Sequence, residues 1–331
     1  MNTEGMLGRC PLDGVENISN KIVAFLRKML KIKYGNKKPL RIFHTKTIGL
    51  VEGELKIEKD DLPDFLRVGL FKQAEPYKVW IRFTNGSPSV TPDNAKAARG
   101  MAIKVLGVAS SGYLDKDPEG NTQDIILFSN SFFVPGFAKF QLAGVKIAVP
   151  HFPEFLGGLF TILLRAFKGS LRFLSLAPIR TPNVLEEMYY SATPYSFGEN
   201  EVIKWHVKPL KTITTVMPRD PHANFLRNRL ISDLSEDAKE EISFALFVQF
   251  HKNDKTEPID DTRVIWRTPF HRVATITIPK QHLDTTERKK KDIELTYSPG
   301  HAIMEHTPLG SVNAVRRKVY EILAKERLQH S

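Results

Sequence analysis

The order in which two periodicities run along the chain limits the fold most. Strand-like segments come in runs, not one at a time between helices. Residues 41–57 are rich in β-branched side chains, with Gly49 and Gly53 among them, and read as a bent pair of strands. Segment 78–84 ends on the turn residues Asn85 and Gly86, and 100–107 and 124–130 follow as two more strands. Segment 138–178 then mixes apolar residues with Lys139, Lys146, Arg165, Lys168 and Arg172 at helical spacing. Strands return at 201–208, 242–250 and 273–278. A helix closes the chain from about Ser311, which could cap it after Leu309 and Gly310. Near the start, 18–33 reads as a basic amphipathic helix with Ile22, Val23, Phe25, Leu26, Met29 and Leu30 on its apolar side. Runs of strands argue against a doubly wound parallel sheet and for an α+β fold, an antiparallel sheet or barrel with added helices. No linker-like composition divides the chain. One domain over 1–331 is expected, with a helical extension over 1–35 and a helical insertion over 138–178.

The chain's 331 residues are 41% hydrophobic, enough to bury a large core. A single cysteine, Cys10, excludes an internal disulfide framework and fits a reducing, cytoplasmic setting. The first 14 residues carry no apolar core of signal type. The longest strongly apolar stretch, 155–164, is about half of what a membrane-spanning helix needs, so the chain reads as soluble. The net charge of +11 allows nucleic acid, an acidic membrane surface or an anionic ligand as partner. Its basic residues are scattered, apart from Lys37–Lys38 and 289–291, with no zinc finger, RNP-type strand or long basic tail, so nucleic acid is not expected. Segment 152–176 is both apolar and basic. It suits either a helix lying on a membrane surface or a core helix with a solvated basic side.

The closing helix carries the most chemistry. Arg316 and Tyr320 are four residues apart and Arg327 is seven beyond. At the helical turn angle all three lie within roughly 40° of one line. A solvated basic helix bearing one tyrosine gives the same spacing. If that face is buried, the arrangement is costly unless something anionic sits against it. A ferric haem suits it, because the propionates are anionic and tyrosinate is an axial ligand. Phenol has a pKa near 10, so ionising it at neutral pH takes a metal and nearby positive charge, which Arg316 could supply.

Arg316-Arg-Lys-Val-Tyr320 followed by Arg327 is similar to the proximal signature of haem catalases, and further segments follow that family's pattern in order. Arg41-Ile-Phe-His44-Thr-Lys46-Thr-Ile-Gly49 resembles its distal segment. Val79-Trp-Ile-Arg82-Phe83-Thr84 resembles the strand bearing a propionate-binding arginine and a hydroxyl partner for the distal histidine. Arg99-Gly100-Met-Ala102-Ile-Lys104 looks like its Arg-Gly-Phe-Ala-Val-Lys strand, and Asp260-Asp-Thr262-Arg263 like its Asp-x-Thr-Lys-x-Trp stretch, with Trp266 one residue late. The likeness covers about 38–140 and 240–328.

The resemblance implies a catalase-like antiparallel eight-stranded β-barrel with surrounding helices, holding a haem b (iron). Tyr320 would be the metal ligand, Arg316 its charge partner, and Arg41, Arg82 and Arg327 the propionate clamps. His44 would be the distal acid–base, oriented by Thr84. Asn130 is the candidate distal asparagine, with Asn121 and Thr122 as rivals. Phe132 stands where the family has proline, and Thr47 where it has glycine. The family's long N-terminal arm and C-terminal region have no counterpart here, which implies a more open pocket and looser homo-oligomers. The implied function is decomposition of hydrogen peroxide or small organic peroxides. A fatty-acid hydroperoxide isomerase or dehydratase on the same fold, or a non-catalytic haem-binding protein, are the other readings. In the dehydratase branch a threonine precedes the distal histidine, and here Phe43 does.

Overall fold

The computed structural model describes residues 14–35, 39, 41–58, 62–72, 76–87, 89–95, 97–132, 137–149, 156, 158, 180–211, 214–238 and 240–329. The expectations attached to Cys10 and to a membrane-facing 152–176 fall outside these residues, apart from Leu156 and Gly158. Among the described residues, no helix is long and apolar enough to cross a membrane.

Among the described residues, nine strands form one sheet: β1 Thr47–Ile57, β2 Tyr77–Asn85, β3 Arg99–Leu106, β4 Thr122–Phe128, β5 Tyr189–Tyr190, β6 Tyr195–Phe197, β7 Glu201–Pro209, β8 Ile242–Phe250 and β9 Phe270–Ile278. Their order is β5-β4-β3-β2-β1-β9-β8-β7-β6, and β5 also pairs with β7. That last pairing closes eight strands into a ring and leaves β6 as a flap on β7. Adjacent strands are antiparallel throughout. The structure thus has the antiparallel eight-stranded barrel with surrounding helices that the resemblance implied. Alternation along the strands explains the closure. Ile81, Phe83, Met101, Ile103, Ile125, Leu127, Trp205, Val207, Phe244 and Leu246 are all buried in one continuous core.

Among the described residues, five α-helices accompany the barrel: α1 Val15–Tyr34, α2 Ala138–Ala148, α3 Phe225–Asp233, α4 Thr286–Glu294 and α5 Gly310–Gln329. The apolar side of α1 packs on α5 and α2 as a second, separate core, in which Ile22, Val23, Phe25, Leu26 and Met29 meet Val315, Val319 and Ala138.

Two local expectations are corrected. Residues 41–57 are one strand and an irregular lead-in, not two strands. His44 stands in the left-handed region at φ 53°, which breaks the extended backbone, and Thr45 Oγ1 closes a turn onto the Arg41 carbonyl at 2.7 Å. Ser311 is not the cap of the closing helix. It lies inside the first turn, where its amide and hydroxyl both donate to Asp260 Oδ1 at 2.6 and 2.5 Å. A carboxylate from a distant loop therefore satisfies the helix start.

A buried charge network ties β3 and β4 to the loop before α5. The Lys104 ammonium donates to Asp117 and to Asp124, the latter at 2.7 Å, and His301 Nδ1 lies 3.0 and 2.9 Å from the same two carboxylates. Asp117, Asp124 and His301 have the residue types of a metal site. The Lys104 ammonium already bonds both carboxylates, so the group reads as a closed ion network. Burial works against a charge on His301, but the two carboxylates outweigh it and push its pKa up to about 9. A histidine raised in this way stabilises the fold fully below its unfolded value of 6.5. That contribution disappears as pH rises through about 9. It amounts to roughly 3 kcal/mol. The thermal midpoint should therefore fall between about pH 6.5 and 9. His301→Asn should be less stable at neutral pH and should lose most of that alkaline slope. An unchanged slope would remove His301 as its cause.

Candidate active-site cavity

The site is built on the outer face of three strands. Cross-strand registers place Thr84, Gly100 and Phe128 in one row, and Arg82, Ala102 and Ile126 in the next. Small residues at the centre of both rows make a shallow floor. A cavity of about 870 Å³ opens above it, roofed by α1, α2 and α5. Its size lies within the usual range of small-molecule and cofactor sites. Leu30, Ile42, Phe43, Val145, Val319 and Leu323 supply much of its apolar wall.

Seven of the eight expected site residues, His44, Thr84, Arg41, Arg82, Arg316, Tyr320 and Arg327, line this one cavity. Asn130 does not. It follows β4 in the loop, half-buried and away from the lining. Of its rivals, Asn121 is exposed, and Thr122 gives its hydroxyl to Asp117 at 2.8 Å.

His44 is fixed from two directions. Its Nδ1 lies 2.8 Å from Thr84 Oγ1, and that hydroxyl lies 3.5 Å from the Gly100 carbonyl, which can only accept. A hydroxyl donating to the carbonyl can accept only from Nδ1–H, so the chain selects the tautomer whose Nε2 carries the lone pair. Gly100 is required here. A Cβ on it would come within 2.5 Å of both His44 Nδ1 and Thr84 Oγ1. Burial, together with the charges of Arg82 and Arg316, lowers the His44 pKa to about 4, so the imidazole is neutral at physiological pH.

The backbone of His44 is held as well. Arg82 Nη1 donates to its carbonyl at 3.1 Å, Nη2 donates to Thr47 Oγ1 at 2.5 Å, and Nε donates to Asp292 Oδ1 at 2.7 Å. Thr47 in turn donates to Asp292 Oδ2 at 2.7 Å. Thr47, which stands where the distal motif of the resemblance has glycine, is thus the hydroxyl bridge of this clamp. The guanidinium expected to bind a propionate is engaged by the protein itself. Arg41 and Arg327 converge nearby on the carbonyls of Ile293 and Leu295, at the end of α4. Burial and the neighbouring Arg82 and Arg327 charges lower the Arg41 pKa well below its ordinary value, with Asp292 opposing. A group of guanidiniums around one carboxylate suits an added anion.

On α5, Tyr320 is half-buried at the cavity, and the Arg316 guanidinium lies 5.7 Å from its ring centre. Arg316 is anchored from behind, donating to Thr193 Oγ1 at 3.1 Å and Asn313 Oδ1 at 3.0 Å. Asn313 is itself pinned to the Pro194 and Leu309 carbonyls. Burial opposes the charge on Arg316, but the Tyr320 and Tyr195 hydroxyls more than offset it, leaving its pKa raised. A phenol with a fixed guanidinium beside it, apolar walls and an anion-binding group of arginines fit a haem with two propionates. Asp292, Thr193 and Asn313 were not found by sequence reasoning. Only Asp292 had a signal: Thr285, whose hydroxyl accepts from Arg288 N, starts a helix that carries Asp292 in its last turn.

Asp292→Asn should cost about 3 kcal/mol of stability, because it strands a buried guanidinium. It should also free the His44 turn. Denaturant unfolding and the titration of the His44 ring by NMR measure these effects. Stability and titration like those of the unchanged protein would show that the clamp is not needed.

No protein-family model and no curated relative matches the chain by sequence. Among solved structures, a fungal catalase aligns over 92% of this chain and 62% of its own at TM-score 0.65 and 15% identity. A bacterial catalase aligns over 92% and 60% at TM-score 0.66 and 14% identity. The chain thus spans about three fifths of the length of those catalases. At such identity the likeness establishes the fold: this chain has the barrel and helices of catalases.

Proposed function

We propose that the cavity binds a b-type haem, whose iron Tyr320 would hold, and that the chain decomposes peroxides there. One observation carries this reading. A tyrosine with a guanidinium beside it and a histidine with a fixed tautomer open onto the same cavity, which also has apolar walls and a group of arginines. When bound, a phenolate-ligated ferric haem supplies the redox capacity for O–O cleavage.

The chain's own residues do the rest. Arg316 places a fixed positive charge beside the Tyr320 ring. Arg41 and Arg327 hold the propionates, exchanging backbone carbonyls for carboxylates, while Arg82 serves mainly the His44 turn. His44 Nε2 takes the proton from one peroxide oxygen and returns it to the other, a transfer that needs the neutral imidazole. Thr84 keeps that lone pair directed by holding Nδ1–H. Hydrogen peroxide and small organic hydroperoxides are the proposed substrates, and a homo-oligomer and a peripheral membrane contact remain proposals of the sequence. The apolar wall of Ile42, Phe43, Val319 and Leu323 favours a second reading, in which a fatty-acid hydroperoxide is rearranged on the same site. Oxygen release from hydrogen peroxide supports the first reading. Loss of the lipid hydroperoxide without added reductant, and with little oxygen release, supports the second.

Tyr320→Phe should lose or alter the haem absorption, and an unchanged spectrum would refute the ligand assignment. His44→Ala should retain the haem and lower peroxide cleavage by about 10²–10⁴-fold. Because His44 stays neutral until pH falls to about 4, the cleavage rate should hold level as the solution is acidified through the ordinary histidine value of 6.5. An inflection at that ordinary value would contradict the assignment of His44 as the base.

A further inference from the structure

A second, smaller cavity also lies on the outer face of the sheet, where its Tyr190 pairs with Phe128 of the larger cavity's lining. Lys204 is central to it. Its neighbours Ile203 and Trp205 point into the barrel core, so alternation along β7 turns Lys204 outward, opposite Gln249 of β8. There Lys204, Trp266, Tyr190, Phe270, Gln249 and Ser131 border a space of about 190 Å³.

Lys204 is 6% exposed, yet no carboxylate among the described residues comes within ion-pair distance of it. Its ammonium donates once, to the Val264 carbonyl at 3.2 Å, and lies 4.5 Å from the centre of the Trp266 ring. Among the described residues, two of its three N–H donors have no acceptor. Trp266, itself 4% exposed, lends its ring face to the ammonium and keeps its indole N–H buried behind the cavity wall. Glu257 and Asp261 act on the lysine from further off, and both are taken. Glu257 accepts from the backbone amides of Lys252 and Arg267, and Asp261 from the Arg263 guanidinium. Burial lowers the Lys204 pKa to about 8, against the pull of those two carboxylates. Ala192, at the rim, is held at φ 53°, a conformation that costs a non-glycine residue energy and is common at ligand sites. Buried charges are ordinarily paired, and buried donors ordinarily satisfied. An ammonium with spare donors, beside aromatic walls, is complementary to a small planar anion.

We propose that this cavity binds a small carboxylate of up to about six non-hydrogen atoms, judged from the volume a water molecule occupies. Lys204 donates to its oxygens, and Trp266, Tyr190 and Phe270 enclose its apolar end. Binding there requires nothing in the larger cavity.

The three tryptophans, Trp80, Trp205 and Trp266, allow a direct test. In protein labelled with ¹⁵N at the indole, acetate is titrated against chloride at constant ionic strength, and Trp266→Phe assigns the resonance. Acetate should shift the resonance of Trp266, a wall of the site, saturably while the other two stay in place, and chloride should not. Lys204→Met should weaken the response at least about tenfold. Lys204→Gln serves the same purpose should the methionine variant fail to fold. A Trp266 signal that ignores acetate, responds equally to chloride, or saturates equally in the folded variants would overturn the proposal.

Discussion

A single buried guanidinium holds the geometry of the large cavity together. Arg82 projects from the outer face of β2 and joins two segments distant in sequence: the one that holds the His44 carbonyl and the Thr47 hydroxyl at the start of β1, and α4 with the Asp292 carboxylate. Leaving such a cation unpaired away from water costs several kcal/mol, so the three partners are held where it needs them. The left-handed backbone of His44 is one consequence. That conformation turns the side chain onto Gly100 and Thr84, where only a residue without a Cβ leaves space. The carboxylate also gains. Burial works against the charge on Asp292, yet Arg82 and Arg41 keep its pKa below the ordinary range.

The cavity follows from how the two cores meet. The barrel fills its own interior with Phe83, Met101, Trp205 and Phe244, so no ligand can enter there. The amphipathic helix α1 buries its apolar side on α5 and α2 instead of on the barrel wall. The wall beneath carries Gly100 and Ala102 at its centre, which cannot reach that helical layer. The gap between the layers is therefore set by small residues on β3, and its polar groups come from the edges: Arg82 and Thr84 from β2, Arg316 and Tyr320 from α5.

The barrel was legible because long strands announce themselves. Segment 242–250 alternates and is bounded as a strand should be, and β8 occupies those residues. The closing helix was legible from its helix formers, and its Arg316–Tyr320–Arg327 line does face the cavity. Short elements were not. β5 has two residues and β6 three, below any period that could be read, yet β5 closes the ring. Helix α4 was hidden because its run of Lys289, Lys290 and Lys291 looked like a solvated patch, and Asp292 was lost with it. The contacts of Arg316 with Thr193 and Asn313 depend on a turn that packs against α5 only in the folded chain. Asn130 shows the opposite error: a polar residue at a strand end matched a role by position, and the structure leaves it outside the cavity lining.

The central claim is that iron is held by a phenolate oxygen from α5 within this cavity. Resonance Raman spectroscopy of the chain reconstituted with one equivalent of ferric haem tests it most directly. Vibrations of an iron-bound tyrosinate, shifted by tyrosine ring labelling and absent from other ligation states, are the expected result. A haem that fails to bind stoichiometrically, or binds with a spectrum free of any tyrosinate mode, would contradict the account.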